Sequence, residues 1–354
     1  LAGRIGWKPR GRAPGGNGYE LVAIRNGRPH VLITLNKYAG ISTATDLVHA
    51  QSPYNLTGQG MSVGIWDQGC VYPYHQEFSG GRILNQDGAS SVTHSTHVGG
   101  TIAAAGRQPA AIGMAPALIL DSYDWNSDYS EMTARAMAVP GETNKLQISN
   151  HSYGAISGWY GTYWYGTWGQ GYRECDYFGS YDADAVTLDA LCYNAPYYLP
   201  FQAAGNDRDD SAPNAGMSFQ YFEDGEWHSK IYDPASDPLS DYSDNGGFDT
   251  VIAAACAKNI MTIGAVNDAV LNEARALAPA VMTSSTAWGP TDDGRIKPDI
   301  MGDGEGLYST VVGASAYAIL SGTSMAAANI SGSAVLLLEY YGRLFTGQFM
   351  RACM

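Results

Sequence analysis

The turn Gly322-Thr323-Ser324, with the apolar run behind it, constrains this chain more than any other feature. From Met325 to Tyr341 the sequence carries few charges and no proline, which predicts a long buried helix. Such a helix needs a large core around it, and 354 residues suffice for one large α/β domain plus a small accessory piece. Ser324 stands at the mouth of this helix, where backbone N–H groups are unspent and the dipole is positive. A hydroxyl there suits a nucleophile, because developing negative charge is stabilised. It equally suits an ordinary helix cap, which is the commoner role for a lone serine.

Three upstream segments change that balance. Met61-Ser62-Val63-Gly64-Ile65-Trp66-Asp67 reads as a short apolar strand ending on a carboxylate, followed by Gln68-Gly69. His94-Ser95-Thr96-His97-Val98-Gly99-Gly100-Thr101 runs into Ile102-Ala103-Ala104-Ala105, a helix of small residues that must pack closely against another element. Phe201-Gln202-Ala203-Ala204-Gly205-Asn206 ends a strand on Gly-Asn. In chain order these supply an orienter, a general base, an oxyanion donor and a nucleophile.

With Ser152-Tyr153-Gly154, Trp288-Gly289-Pro290 and Lys297-Pro298-Asp299-Ile300, these segments resemble the signatures of the subtilisin-like serine peptidases, in their secreted bacterial form. That family's serine motif is G-T-S-M-A and its histidine motif is H-G-T-H-V-A-G; the Asp-His-Ser order and the side-chain oxyanion donor are known features of subtilisin itself. The resemblance covers roughly residues 53 to 341. It implies a catalytic triad of Asp67, His94 and Ser324, and an oxyanion hole made by the Asn206 side chain and the Ser324 backbone N–H. Substrate would lie as an extended strand beside Ser152, Tyr153 and Gly154. Ala203, Ala204 and Gly205 would form the other wall of the primary pocket, with room for a large side chain. His97 is assigned to packing. Departures from the pattern are Ser95 for Gly, Gly99 for Ala, Ala328 for Pro, and Met301-Gly302-Asp303-Gly304 for a usual A-P-G turn. None of them touches a catalytic group.

The remaining composition narrows the function. Twenty basic against 34 acidic residues give a net charge of −14, which disfavours DNA or RNA as partner. With 45% hydrophobic and 15% charged residues, the chain suits a well-buried core. No apolar stretch is long enough for a membrane span. The expectation is a secreted monomer that has lost its signal peptide and acts on polypeptide substrates. No cofactor is required for the chemistry, and acidic loops leave room for structural calcium. Asp207, Asp209 and Asp210 suggest a preference for basic residues, a solvated loop or calcium ligands. Asp233, Asp237, Asp241 and Asp244 suggest calcium or a solvated surface. Gly302-x-Gly304-x-Gly306 is no phosphate loop, because Asp303 and Glu305 would repel the ligand.

Five cysteines are an odd number, so at least one is unpaired within the chain. Cys175 and Cys192 flank a Gly/aromatic-rich stretch and are the preferred disulfide. Cys256 reads as a buried thiol and Cys70 as structural. No zinc motif is present.

The chain divides at residue 52. Residues 1–52 read as a Gly/Pro/Arg-rich arm and a β-hairpin, Tyr19–Arg25 and Arg28–Leu35 joined by Asn26-Gly27, either a propeptide remnant or a permanent extension. A short helix over Ser42–Gln51 leads into residues 53–354, the peptidase domain. Because the family usually continues past its serine helix, this domain reads as shortened at its C-terminus. Strands are expected at 61–67, 118–124, 146–150, 199–203 and 260–264, with helices at 94–105, 130–139, 182–193 and 248–257. The fold class is therefore α/β, a three-layer subtilisin-like fold whose central, mostly parallel sheet is flanked by helices, plus the small N-terminal hairpin. Two loops look inserted: Ile156–Phe178, a substrate cleft, a carbohydrate platform or a self-packed loop, and Ser211–Gly247. The leading function is a serine endopeptidase working through an acyl-enzyme. A narrow-specificity processing protease or peptide ligase, and a catalytically silent binding module on the same fold, are the alternatives.

Overall fold

The structure, a computed structural model, describes residues 10–12, 18–25, 28–33, 36–169, 173–242 and 246–352. At the N-terminus β1 (Arg10–Arg12), β2 (Gly18–Arg25) and β3 (Arg28–Ile33) form an antiparallel sheet in which Arg25 faces Arg28. Asn26-Gly27, the expected turn of that hairpin, lie outside the described residues. Two helices follow where one was expected, α1 (Asn36–Ser42) and α2 (Thr45–Ala50). The break falls at Ala44, whose left-handed backbone (φ 62°) cannot continue a right-handed helix.

From residue 62 onward strands and helices alternate. The order is β4 (Ser62–Asp67), β5 (Ile83–Asn85), α3 (Thr93–Ala103), β6 (Ile119–Asp124), α4 (Asp128–Arg135) and β7 (Ile148–His151). Then come β8 (Trp159–Tyr160), β9 (Tyr163–Trp164), α5 (Ala183–Asn194), β10 (Leu199–Ala203), β11 (Ser218–Glu223) and β12 (Glu226–Ile231). The chain continues through β13 (Met261–Val266), β14 (Val270–Leu271), β15 (Ala274–Arg275), β16 (Ile300–Asp303), β17 (Leu307–Thr310), β18 (Tyr317–Leu320) and α6 (Thr323–Leu344).

Seven of these strands make the central sheet, in the order β16-β13-β10-β7-β4-β6-β5, and every neighbouring pair is parallel. The sheet grows from β4 first toward β6 and β5, then, starting with β7, to the other side. Beyond the carboxyl ends of strands at such a reversal, α/β sheets open a crevice that binds ligands. Asp67 closes β4 at that reversal, Ser152 follows β7, and Asn206 lies beyond the end of β10.

Strand periodicity of two builds the layers. Val63 and Ile65 of β4, with Ile148, Phe201 and Ile263, pack against Val98 and Ile102 of α3 and Met325, Ala326 and Val335 of α6. Trp66 and Tyr123 turn to the other face, against Met132 of α4 and Leu188 and Leu191 of α5. The small residues of α3 are required by contact: a Cβ on Gly100 would lie 2.2 Å from Thr310 Oγ1 and 2.4 Å from Ser309 Oγ. Ser95, in place of the family's glycine, is buried and donates to the Cys70 carbonyl at 3.1 Å. Ala328 sits fully buried inside an unbroken α6. No helix among the described residues is long and apolar enough to cross a membrane.

The expected helix over 248–257 is a correction. That segment is extended, with a single 3-10 turn at Ala253–Cys256. Asp249 takes a left-handed backbone (φ 57°), and the N–H groups of Thr250 and Ile252 bond to the carbonyls of Trp288 and Ala204 instead of to a helical turn. The disulfide is a second correction. Cys175 and Cys192 are buried thiols in separate clusters, Cys175 among Trp159, Trp164 and Phe219, and Cys192 among Leu188, Leu191 and Tyr198. The Cys175 sulfur accepts the Gly158 N–H at 3.1 Å.

The two inserted loops are one structure. β8, β9, β11 and β12 form a four-stranded sheet, and its buried rings pack on one another. Trp159 lies 5.3 Å from Trp164, 5.3 Å from Phe219 and 5.9 Å from Tyr232, centroid to centroid.

Candidate active site

Asp67 ends β4 with no exposure to solvent. Its carboxylate accepts the Gln68 N–H at 2.7 Å and the His94 Nδ1–H at 2.7 Å, with the second oxygen at 3.0 Å. A ring nitrogen facing a carboxylate carries the proton, so Nε2 of His94 holds the free lone pair. His94 sits in the first turn of α3, its side chain one-third exposed. Burial alone would lower the imidazole pKa; the hydrogen bond and charge of Asp67 outweigh it and hold the pKa above its usual value.

Ser324 occupies the first turn of α6, behind Gly322, whose backbone (φ 138°) favours glycine. A Cβ at Gly322 would also lie 3.2 Å from Asn206 Oδ1. The glycine run 302–306 fixes this turn, since Gly304 accepts the Gly322 N–H at 2.7 Å and Gly306 donates to Ser321 Oγ at 2.8 Å. The Ser324 hydroxyl donates to the Ser152 carbonyl at 3.1 Å, and the Ser152 hydroxyl donates to the Ser324 carbonyl at 2.9 Å. Asn150 supports Ser152 at 2.9 Å and accepts from Ser331 of α6 at 3.1 Å. Among the described residues no hydrogen bond joins Ser324 to His94.

Asn206 is exposed, and its orientation is determined. Its Oδ1 accepts the Thr323 N–H at 2.9 Å and the Thr323 hydroxyl at 3.1 Å, so the NH₂ group is turned to the other side. In the segment after β7 the Tyr153 carbonyl is taken by the Gln202 side chain. Backbone groups alternate along an extended chain, so those of Gly154 remain for an added strand, with the Ser152 carbonyl joining them once the Ser324 hydroxyl leaves it. Ala203 and Ala204 are buried. Ile252 reaches between the two expected walls of the primary pocket: a Cβ on Gly154 would lie 2.1 Å from its Cδ1, and one on Gly205 2.8 Å from its Cγ2. Sequence reasoning missed Ile252, because the residue lies within the segment read as helix over 248–257.

Other expected residues are spent on structure. His97 is buried against the carbonyls of Leu307 and Ala318, at 3.0 and 3.2 Å, and burial pushes its pKa down to about 4. Asp237 pairs with Lys230 and accepts the Asp233 N–H at 2.8 Å, while Asp241 accepts the Trp159 N–H at 3.0 Å. Asp244 lies outside the described residues. Asp207 accepts the Asn206 N–H, and burial and Asp210 raise its pKa to about 7. Asp209 accepts the Ser284 hydroxyl at 2.6 Å. No cluster of three or more acidic, histidine or cysteine side chains suited to a metal ion occurs among the described residues.

Residues 58–354 match the subtilase family, and the chain belongs to that family. It is 26% identical over 298 residues to the serine protease/ABC transporter B family protein tagB of Dictyostelium discoideum, a match spanning 70% of this chain and 15% of that protein. Among solved structures it resembles the CspB protease of Clostridium perfringens, with a TM-score of 0.59 at 16% identity, covering 88% of this chain and 90% of that one. The prenylagaramide maturation protease PagA gives a TM-score of 0.50 at 18% identity, over 80% of this chain and 76% of that one. Identities this low speak to the fold.

Proposed function

We propose that the chain hydrolyses peptide bonds of polypeptides through an acyl-enzyme formed on Ser324. The observation that carries this reading is the 2.7 Å hydrogen bond from His94 to the buried Asp67, beside a serine at a helix N-terminus. When substrate arrives, the Ser324 hydroxyl leaves the Ser152 carbonyl and turns its proton toward His94 Nε2. Ser324 attacks the scissile carbonyl; His94 takes the proton and returns it to the leaving amine, while Asp67 holds the tautomer and stabilises the imidazolium. The Asn206 NH₂ group and the Ser324 backbone N–H, at the positive end of α6, meet the oxyanion. The substrate backbone adds to the outward groups of Ser152 and Gly154. No step calls for a cofactor.

A fluorophosphonate probe and casein hydrolysis test this directly. The folded wild type should react at Ser324 and cleave casein. Ser324→Ala should abolish labelling and lower kcat about a millionfold, a figure carried over from subtilisin. Folded wild-type protein that neither labels nor cleaves would leave the chain a silent binding module. Transfer of the acyl group to an added amine in preference to water would make it a ligase.

A further inference from the structure

Asp303 closes β16 inside the segment that departs from the family's A-P-G turn, and its carboxyl group is buried. A second carboxyl group, that of the half-buried Asp268 on the loop after β13, is hydrogen-bonded to it. An ionised carboxylate has no proton to donate, so this bond requires that one of the two groups keep its proton. Burial, followed by the charge of Asp268, pushes the Asp303 pKa well up, and burial raises that of Asp268. Both shifts favour a proton held between them.

Two parts of the molecule meet at this pair. The Ser42 hydroxyl, at the end of α1, donates to Asp303 Oδ2 at 3.0 Å and accepts the Ala269 N–H at 2.9 Å. Ser42 thus bridges Asp303 to the residue next to Asp268, and the bridge closes only while the two carboxyl groups stay together. On the other side, the Asp303 N–H donates to Asn329 of α6 at 3.2 Å, and Asn329 donates to the Ala39 carbonyl of α1 at 3.2 Å. The glycines flanking Asp303 rest directly on the start of α6. A Cβ on Gly302 would lie 2.6 Å from the Ala326 carbonyl oxygen, and one on Gly304 2.7 Å from that of Gly322. Gly304 also accepts the Gly322 N–H, so no slack separates Asp303 from the turn that presents Ser324.

The charged neighbours do not replace the proton. Glu305, after β16, adds negative charge at Asp268. Tyr38 of α1 has its own pKa raised by burial, then by Glu273 and Asp268. Lys37 of α1 lies 4.0 Å from Glu273 in the β14–β15 turn, and Arg275 of that hairpin is exposed. α6 carries no charged residue before Glu339, and β13 carries none.

We propose that Asp268 and Asp303 hold one proton between them, and that this proton clasps α1 and the turn before Ser324 to the main sheet. When it is released to alkaline solvent, the two carboxylates repel, the Ser42 bridge opens and the catalytic turn loosens. The effect on catalysis rests on the peptidase reading; the clasp itself does not. The unfolded chain gives up this proton in the ordinary carboxyl range, and the folded chain only above it. The pair's contribution to stability is therefore full in acid and falls as pH rises to the pair's own pKa.

Asp268→Asn tests the clasp, because it keeps a hydrogen-bonding partner for Asp303 but leaves one carboxylate and no repulsion. Melting temperature and amide exchange at Ala269 and Gly322 are measured on the wild type and the variant across the same pH series. The wild type should lose melting temperature and protection at both amides relative to the variant, by a gap that widens as pH rises. At a pH above that where Asp207 ionises, infrared difference spectra should show a protonated-carboxyl band in the wild type that Asp268→Asn lacks. Fluorophosphonate labelling of Ser324 should slow with pH in the wild type relative to the variant. A gap that stays constant with pH, or no difference band, overturns the inference. So does a gap that widens at Ala269 while Gly322 and labelling stay level, since the clasp would then not reach the turn. If neither protein labels, the peptidase reading fails, and exchange at the two amides still decides the clasp. Should Asp268→Asn not fold, Asp303→Asn takes its place with the same expected outcomes.

Discussion

At the carboxyl edge of the main sheet, polar contacts join distant parts of the chain. His94 reaches Asp67 across 27 residues, Thr323 reaches Asn206 across 117, and Ser152 reaches Ser324 across 172. In the inserted four-stranded sheet acids act mostly close by: Asp176 on Thr167 nine residues away, Asp237 on Lys230 seven away and on Asp233 four away. The first region is a junction whose geometry depends on the whole fold. The second depends on the stacking of its own rings. Damage to the two should therefore separate, with chemistry lost at one and local stability at the other.

The strongest test of that separation is Asp67→Asn. It should leave the fold in place yet lower kcat about 10⁴-fold, because the imidazole loses its orienting partner and useful tautomer. The pH profile sharpens the point. His94 must be neutral to accept a proton, and Asp67 raises its pKa, so wild-type kcat/KM should fall as pH drops through a value above 6.5. In Asp67→Asn burial dominates, and the residual activity should persist to lower pH. An acid limb that does not move would remove His94 from the role of base.

On the other side, Trp159→Ala empties the centre of the inserted sheet and should cost about 3–5 kcal/mol of stability. Thermal unfolding should register it, while hydrolysis of a short peptide below the transition stays near wild type. Loss of peptide hydrolysis in the folded variant would break the proposed independence. Asn206→Ala is the converse: a loss of about 10²–10³ in kcat, carried over from subtilisin, with little change in melting temperature. The smallest effect belongs to Ile252→Ala. Removing the side chain between Gly154 and Gly205 should shift preference by about tenfold toward bulkier residues at the bond cleaved. Peptide profiling that shows no shift would take Ile252 out of the pocket.

Much of the main sheet was legible because its strands are short apolar runs closed by polar residues. The run expected over Leu199–Ala203 matches β10 in both ends, and β4 begins one residue after the run expected from Met61. Asp67, His94 and Ser324 stand where a strand or helix begins or ends and Asn206 just beyond one, so their placement followed from the same local reading, while their candidate roles came with the family resemblance. The segment over 248–257 misled, because its alanine-rich composition suits a helix while its backbone groups find partners at Ala204 and Trp288. The proposed disulfide misled because spacing says nothing about which cluster receives each sulfur. The loop over Ile156–Phe178 offered self-packing as one of three readings, the acidic loop over Ser211–Gly247 offered none, and neither named the other as its partner.

Sequence alone determined the alternation of strands and helices, the long helix behind Ser324 and the kinds of chemical group at the crevice, because periodicity and chain punctuation are local properties. Tertiary structure decided which groups meet. It paired His94 with Asp67, turned the Asn206 amide through Thr323 and set Ile252 between two glycines. Distance and desolvation set the strength of such contacts, and both arise only when remote segments share a buried space.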